Sequence, residues 1–304
     1  MSIFHKRNTL VENITYMALM AAINVIFVLL TFFVPFLLFL LVFILPLSSA
    51  IVAIYCKKRY YIFYAIATIG ICMLVTVTNF ADTIFFVIPS VITGFLFGLL
   101  IERKIPSIIV IATATLAQVL LSYPGLWIGT QLIYPGQEDI FVVLSKMIGL
   151  EGYIYLDYIK HLSILLISLI QETIAFIVIK EESNKLGVKL ETKGWMDKLL
   201  PNLLIMFFSI LSLIFAFAYK PLAYVFMGGS AFFGIYQTAI LIIEKKNWIY
   251  FSLAGVLLTT IFVFAACYSV IPEPLGFITL QIMFVAVGII GLLNNYLVSL
   301  LKKR

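Results

Sequence analysis

Residues Thr15 to Arg59 read TYMALMAAINVIFVLLTFFVPFLLFLLVFILPLSSAIVAIYCKKR, an almost continuous apolar run that three basic residues close. A helix that crosses a bilayer needs roughly 20 apolar residues to span about 30 Å of hydrocarbon. The run is about twice that length, and Val34-Pro35 interrupts it near the middle. We therefore expect a transmembrane hairpin, in which two spanning helices are joined by a tight turn.

The composition points to the same class of protein. Of the 304 residues, 63% are hydrophobic and only 11% are charged, and the mean hydropathy is +1.16. In soluble domains about a quarter of the residues are charged. We therefore expect an all-α integral membrane protein surrounded by membrane lipid. The net charge is +6, and the basic residues that produce it lie at the ends of apolar runs. This arrangement is typical of one side of a membrane and does not predict a nucleic-acid partner. The three isolated cysteines predict no disulfide, metal site or cofactor.

The remaining apolar runs predict eight further spanning helices, which makes about ten in all. A long connection, roughly Ser122 to Asp157, is expected to form a partly buried loop. The eight runs extend from Tyr61 to Thr78, Thr83 to Ile101, Ile108 to Leu121 with Leu126-Trp127, Tyr158 to Ile179, Leu199 to Tyr219, Leu222 to Ile243, Trp248 to Val270 and Gly276 to Leu301.

The basic residues predict the orientation of these helices. Lys and Arg collect on the cytoplasmic side of a membrane protein. With both termini in the cytoplasm, only Lys146, Lys160 and Lys220 of the 20 basic residues fall outside. A charged segment then divides the chain into a six-helix bundle (residues 1–182), a cytoplasmic linker (183–198) and a four-helix bundle (199–304).

Two helices carry small residues four positions apart. Ala18 and Ala22 lie in the first predicted helix, and Gly94 and Gly98 lie in the fourth. Such pairs allow another helix to approach closely. Internal packing of the bundle is the more common use of such spacing, and a docking face for a separate protein is the alternative.

The sixth predicted helix carries a polar stripe. At about 100° per residue, His161, Ser168 and Glu172 share one face, and the small Ala175 continues it. Glu172 lies about 12 Å inside the predicted cytoplasmic end. An ionised carboxylate there costs several kcal/mol unless it is paired or hydrated. We expect Glu172 to face the interior or a wet cavity, or else to be protonated. A structural carboxyl that is hydrogen-bonded to a neighbouring helix is the alternative.

A second stripe, Thr115, Gln118 and Ser122, lies on the fifth helix. Together with the turn that holds Asn79 and Asp82, it predicts a polar pocket closed by aromatic side chains of the long loop. Such a pocket suits a small amphipathic molecule, although loop aromatics near a membrane more often form an interfacial belt. Gln237 and Gln281 are single amides in the middle of helices, and they are expected to hold neighbouring helices together. The candidate substrate-binding residues are Asp82, Gln118, Trp127, His161 and Glu172, and the aromatic lid is Tyr123, Trp127 and Tyr134.

Signatures of enzymes are missing from the sequence. Its two histidines, His5 and His161, belong to no HExxH motif, and neither GxSxG nor a P-loop occurs. We expect no catalytic residues and no nucleotide hydrolysis by this chain.

The segment Tyr16-Met17-Ala18-Leu19-Met20-Ala21-Ala22-Ile23-Asn24 resembles the first helix of the substrate-binding S components of energy-coupling-factor transporters. The Pro-containing second helix and the GxxxG-bearing fourth helix are also similar to that group. The likeness covers about residues 10 to 182, and it implies that Ala18 and Ala22 contact a transmembrane coupling subunit. In length and layout the chain resembles the YybS-like family of bacterial multi-spanning membrane proteins. This implies an S-component-like fold extended by four helices.

The sequence therefore favours a protein of the bacterial cytoplasmic membrane that binds or takes up a vitamin-like small molecule. A separate module with a coupling subunit and ATPase subunits, or an ion gradient, would supply the energy. The main alternative is a non-transporting scaffold or regulator that binds partner membrane proteins. An intramembrane enzyme that uses Glu172 and His161 has no motif in its favour.

Overall fold

The computed structural model describes residues 6–34, 38–77, 83–128, 156–185, 199–243, 252 and 273–302. Within these ranges the chain forms nine α-helices and no β-strand, which confirms the all-helical prediction for this part of the protein. The helices are α1 (Leu10–Phe33), α2 (Leu38–Tyr55), α3 (Tyr61–Val75), α4 (Ile88–Glu102), α5 (Ser107–Ile128), α6 (Leu156–Lys185), α7 (Leu200–Ala218), α8 (Lys220–Ile243) and α9 (Glu273–Lys302).

Six of the described helices, α1, α3, α5, α6, α7 and α8, are long and apolar enough to cross a membrane. Shorter apolar stretches of 10–17 residues occur in α2, α4 and α9. By length and composition the chain is thus suited to cross a membrane several times. Apart from Ser252, the predicted span from Trp248 to Val270 lies outside the described residues, and the count of ten stays a prediction.

The outward faces of these helices are apolar. On α3, the side chains of Phe63, Ile66 and Leu74 are 63%, 64% and 74% exposed, and Leu19 and Ile26 of α1 are also exposed. Soluble proteins rarely expose such large contiguous apolar surfaces. Lipid tails are as apolar as these side chains, so a bilayer accommodates them without cost.

The chain divides into two compact units. The first contains residues 1–143 and 174–191, and the second contains residues 144–173 and 192–304. The division runs through α6, between Thr173 and Ile174. The domains predicted from the sequence, residues 1–182 and 199–304, follow the order of the chain and stay a prediction.

In the first unit, α1 begins with a capping box. The Thr9 hydroxyl accepts a hydrogen bond from the Glu12 amide (3.2 Å), and the Glu12 carboxylate accepts one from the Thr9 amide (3.2 Å). Just before this cap, the Arg7 amide donates to the Tyr55 carbonyl oxygen (2.9 Å). The start of α1 therefore meets the end of α2, and the two helices are antiparallel, as expected for the hairpin.

One carboxylate joins three helix ends of the first unit. Glu102, the last residue of α4, accepts Lys6 Nζ at 2.8 Å and Lys58 Nζ at 2.7 Å. Lys6 precedes α1, and Lys58 lies in a 3₁₀ turn directly before α3. Two of the basic residues predicted to be cytoplasmic, Lys6 and Lys58, therefore meet at one end of this unit. The side of the membrane on which this end lies stays a prediction.

The GxxxG motif brings α4 against α2. A Cβ atom added to Gly98 would lie 2.5 Å from Ala53 Cβ and 2.8 Å from the Ala50 carbonyl oxygen. A Cβ added to Gly94 would collide with Ser49 and with the Pro46 carbonyl oxygen. Because real Cβ atoms do not approach other atoms so closely, only glycine fits at these positions. Both glycines therefore serve packing inside the first unit.

The second unit is built around α7, α8 and α9. One core cluster joins Ile205 of α7, Ala231 of α8 and Phe284 of α9, all of which are buried. The rings of Phe208 and Phe233 stack with centroids 5.7 Å apart. These contacts pack the three helices together by apolar surface.

Candidate functional site

A closed polar network joins α1, α2 and α3 of the first unit. Asn24 Nδ2 donates to the Tyr64 hydroxyl (2.8 Å), and Asn24 Oδ1 accepts from the Ser48 hydroxyl (2.5 Å). The hydroxyls of Ser49 and Tyr64 lie 3.1 Å apart. All four side chains are buried. Since these groups satisfy one another, the network holds three helices together and leaves little capacity for a ligand.

The polar stripe of α5 differs from this network. Thr115 and Gln118 are 2% and 5% exposed, and their spacing places them on one face of the helix. Among the described residues, neither the Thr115 hydroxyl nor the Gln118 side-chain oxygen has a hydrogen-bond partner. Burying such a group without a partner costs about 1–3 kcal/mol. Unsatisfied buried polar atoms mark places where a bound molecule can complete the hydrogen bonds.

The third member of that stripe bonds locally. The Ser122 hydroxyl donates to the Gln118 main-chain oxygen (2.8 Å), which is the usual bond of a serine to the preceding helical turn. It therefore leaves the Gln118 side-chain oxygen unoccupied. Thr115 and Gln118 are thus the two members of the stripe whose side-chain oxygens have no partner among the described residues.

The polar stripe of α6 is buried over most of its length. Ser168, Glu172 and Ala175 are 3%, 0% and 0% exposed, as their helical spacing predicts. His161 is exposed. It precedes Ser168 by seven residues and so lies about 10 Å nearer the start of the helix. The structure thus places Glu172 in an interior environment and His161 on the surface.

Of Trp127, Asp82 and Tyr134, which were also predicted to line the pocket, the structure describes only Trp127. Trp127, near the end of α5, is 62% exposed, a position suited to an interfacial aromatic residue. Asp82 and Tyr134 lie outside the described residues. Gln118 and Trp127 belong to the first unit, whereas His161 and Glu172 belong to the second. Each pair is therefore considered within its own unit.

The two alanines of α1 face outward. Ala18 and Ala22 are exposed, whereas Ala21 is only 4% exposed. The inner face of the helix carries Met17 and Asn24. Within the part of the first unit that the structure describes, the surface of Ala18 and Ala22 is left free of packing partners.

Sequence reasoning missed a convergence of amides in the second unit. A Cβ added to Gly291 of α9 would lie 2.7 Å from Gln237 Nε2 and would also meet the Asn202 side-chain oxygen. Two buried amides from α7 and α8 thus approach the backbone of a third helix. No local motif signals this contact, because the three residues are distant in sequence. The Gln281 side-chain oxygen accepts from the Ser230 hydroxyl (3.0 Å) and joins α9 to α8, as expected.

The described residues hold no group of three or more His, Cys, Asp or Glu side chains that could bind a metal ion. No protein-family model matches the chain, and comparison with curated proteins and with solved structures finds no match. The resemblance to S components and to the YybS-like family therefore stays a prediction.

Proposed function

We propose that this protein binds a small molecule within the membrane and takes it up across a bacterial cytoplasmic membrane, with energy from a separate module or from an ion gradient. The observation that carries the proposal is the pair Thr115 and Gln118. Two buried oxygens without partners in the described structure lie on one face of a helix that can span a bilayer. A ligand with a hydroxyl, amine or amide group would complete these hydrogen bonds.

The buried carboxyl of Glu172 supports the same function from the second unit. An acidic residue inside a membrane segment is costly and usually serves a substrate, ion or proton pathway. Glu172 is 0% exposed in α6, which is itself a candidate spanning helix. We propose that Glu172 couples uptake to a charge or proton. Glu172→Gln should then abolish uptake while the protein remains folded.

The test of binding compares retained small molecules. Wild type and T115V/Q118M are extracted gently from their native membrane, and the small molecules in each sample are identified by mass spectrometry. T113V is the matched control, because the Thr113 hydroxyl already bonds to the Ile109 carbonyl oxygen (2.7 Å). We expect a stoichiometric molecule in wild type and T113V and at least about a tenfold loss in T115V/Q118M, since each lost hydrogen bond costs about 1 kcal/mol. Equal retention by T115V/Q118M would contradict the proposal.

The exposed alanines suggest where the energising module binds. We propose that Ala18 and Ala22 contact a coupling subunit, which in turn joins ATPase subunits. Small residues permit a close helix contact that leucine would block. A18L/A22L should lose co-purifying subunits while its unfolding midpoint stays at the wild-type value. A variant that fails to fold would show instead that this face packs internally.

The same alanines favour the alternative function, a membrane scaffold or regulator. In that case the partners would be other membrane proteins. E172Q and T115V/Q118M would then leave partner binding unchanged, and purified wild type would hold no small molecule. Identifying the co-purifying proteins and small molecules in one preparation separates the two functions.

A further inference from the structure

A basic cavity of about 270 Å³ lies where three helices of the first unit end or begin. Lys6 and Arg7 precede α1, Lys57 and Lys58 follow α2, and Glu102 ends α4. These five residues are the charged groups that line it, and together they carry a net charge of +3. The cavity is thus strongly positive.

The backbone around this basic cavity is held by one buried side chain. Asn13, which is 0% exposed, donates from Nδ2 to the carbonyl oxygens of Thr9 (2.6 Å) and Arg7 (3.2 Å). Its Oδ1 accepts from the Lys57 amide (2.7 Å). One side chain therefore ties the segment before α1 to the segment after α2. The backbone that surrounds the basic cavity is therefore a fixed feature of the fold.

Two cations of the basic cavity, Lys6 and Lys58, are held close together by one carboxylate. Glu102 is shared by Lys6 and Lys58. The Arg7 side chain is only 8% exposed, and its guanidinium lies 4.3 Å from the centroid of the Tyr16 ring. Like charges held at short range repel one another, and an anion between them removes that repulsion. The geometry therefore favours an anionic ligand.

We propose that the basic cavity binds a phosphate group and that the headgroup of an anionic phospholipid supplies it. The location favours a lipid over a soluble anion. The cavity lies at the start of α1, whose first turns expose Leu10 (52%), Val11 (73%) and Ile14 (53%). Acyl chains can cover these side chains, whereas free phosphate cannot. Basic pockets at the ends of transmembrane helices bind lipid headgroups in this way. The inference is independent of the proposed uptake function.

The test uses native mass spectrometry of the full-length protein in detergent. Phosphatidylglycerol or phosphatidylcholine is added, and the retained lipid is counted. The variant K57Q/K58Q removes two charges from the basic cavity. The matched control R103Q/K104Q removes two charges from the same end of the unit, where both residues are exposed and neither lines the cavity.

We expect wild type and R103Q/K104Q to retain phosphatidylglycerol in preference to phosphatidylcholine. K57Q/K58Q should bind phosphatidylglycerol roughly 25-fold more weakly, at about fivefold for each lysine. An equal loss in R103Q/K104Q would overturn the proposal, because it would show attraction by diffuse surface charge. Inorganic phosphate that displaces the lipid at low millimolar concentration would also overturn it, in favour of a soluble anion.

Lys58 also bonds to Glu102, so K57Q/K58Q could disturb the fold. The single variant K57Q avoids this problem, because the Lys57 side chain is exposed and its amide keeps the bond to Asn13. K57Q should show about a fivefold weaker affinity for phosphatidylglycerol with an unchanged unfolding midpoint. An unchanged affinity in K57Q would count against the proposal.

Discussion

The Asn24 network and the Thr115–Gln118 pair lie in the same unit, and both consist of buried polar side chains. In the network, hydrogen bonds join Asn24, Ser48, Ser49 and Tyr64 across three helices. In the pair, the Thr115 hydroxyl and the Gln118 side-chain oxygen have no partner among the described residues. The difference teaches that burial of a polar group does not by itself mark a site. A ligand site also needs polar groups that lack a partner within the protein.

The contrast between the Asn24 network and the Thr115–Gln118 pair is tested most directly by removing the Asn24 amide at the centre of the network. Asn24→Leu keeps the number of side-chain heavy atoms but removes the hydrogen bonds from Asn24 to the buried hydroxyls of Ser48 and Tyr64. We expect the free energy of unfolding in detergent to fall by about 3 kcal/mol. The control is Ile26→Ala on the exposed face of α1, for which a change below about 0.5 kcal/mol is expected. Equal effects of the two variants would show that the network does not stabilise the fold.

The packing that surrounds the network can be tested sterically. α2 carries Ser48 and Ser49, and Gly98 holds α4 against it. Gly98→Ala should separate these helices and lower the free energy of unfolding by about 2 kcal/mol. Gly70→Ala in α3 is the matched control, since no atom lies within 4 Å of the added Cβ. It should leave stability unchanged or slightly raised. A stable Gly98→Ala variant would refute the close α2–α4 contact.

A single interhelical bond in the second unit should give a smaller effect than the network. Ser230→Ala removes the bond from α8 to Gln281 of α9. We expect a loss of about 1 kcal/mol, near the upper range for one such bond inside a membrane. Thr238→Ala removes only a bond within α8, to the Gly234 carbonyl oxygen, and should cost less. The reverse order, measured by thermal unfolding, would contradict this ranking.

The helices themselves were predictable from the sequence, because a segment in lipid must satisfy its own backbone hydrogen bonds. The Val34-Pro35 interruption predicted the end of α1 at Phe33, and the helical period predicted the burial of Ser168 and Glu172. The exposure of His161 was not predictable. The helical period shows on which side of α6 a residue lies. It does not show how far the neighbouring helices extend along α6, and this decides whether His161 is covered.

The partnerships between polar residues required the structure. Asn24 and Tyr64 are 40 positions apart, and no local pattern in the sequence predicts the hydrogen bond between them. The same holds for Asn13, which fixes the basic cavity through the Lys57 amide. Sequence reasoning predicted Gln118 as a residue of the binding pocket, and only the contacts separate it from the closed network.

The central claim is that Thr115 and Gln118 bind a ligand through their side-chain oxygens, and the variant T115V/Q118M tests it most directly. Replacing unsatisfied buried polar groups by apolar groups of similar shape should leave stability unchanged or raise it by about 1 kcal/mol. The decisive measurement records the unfolding midpoint of the ligand-free variant and its retained small molecules in the same preparation. The account predicts an unfolding midpoint no lower than that of ligand-free wild type, together with loss of the retained molecule. A midpoint that falls as far as that of Asn24→Leu would show that the pair is structural and would contradict the claim.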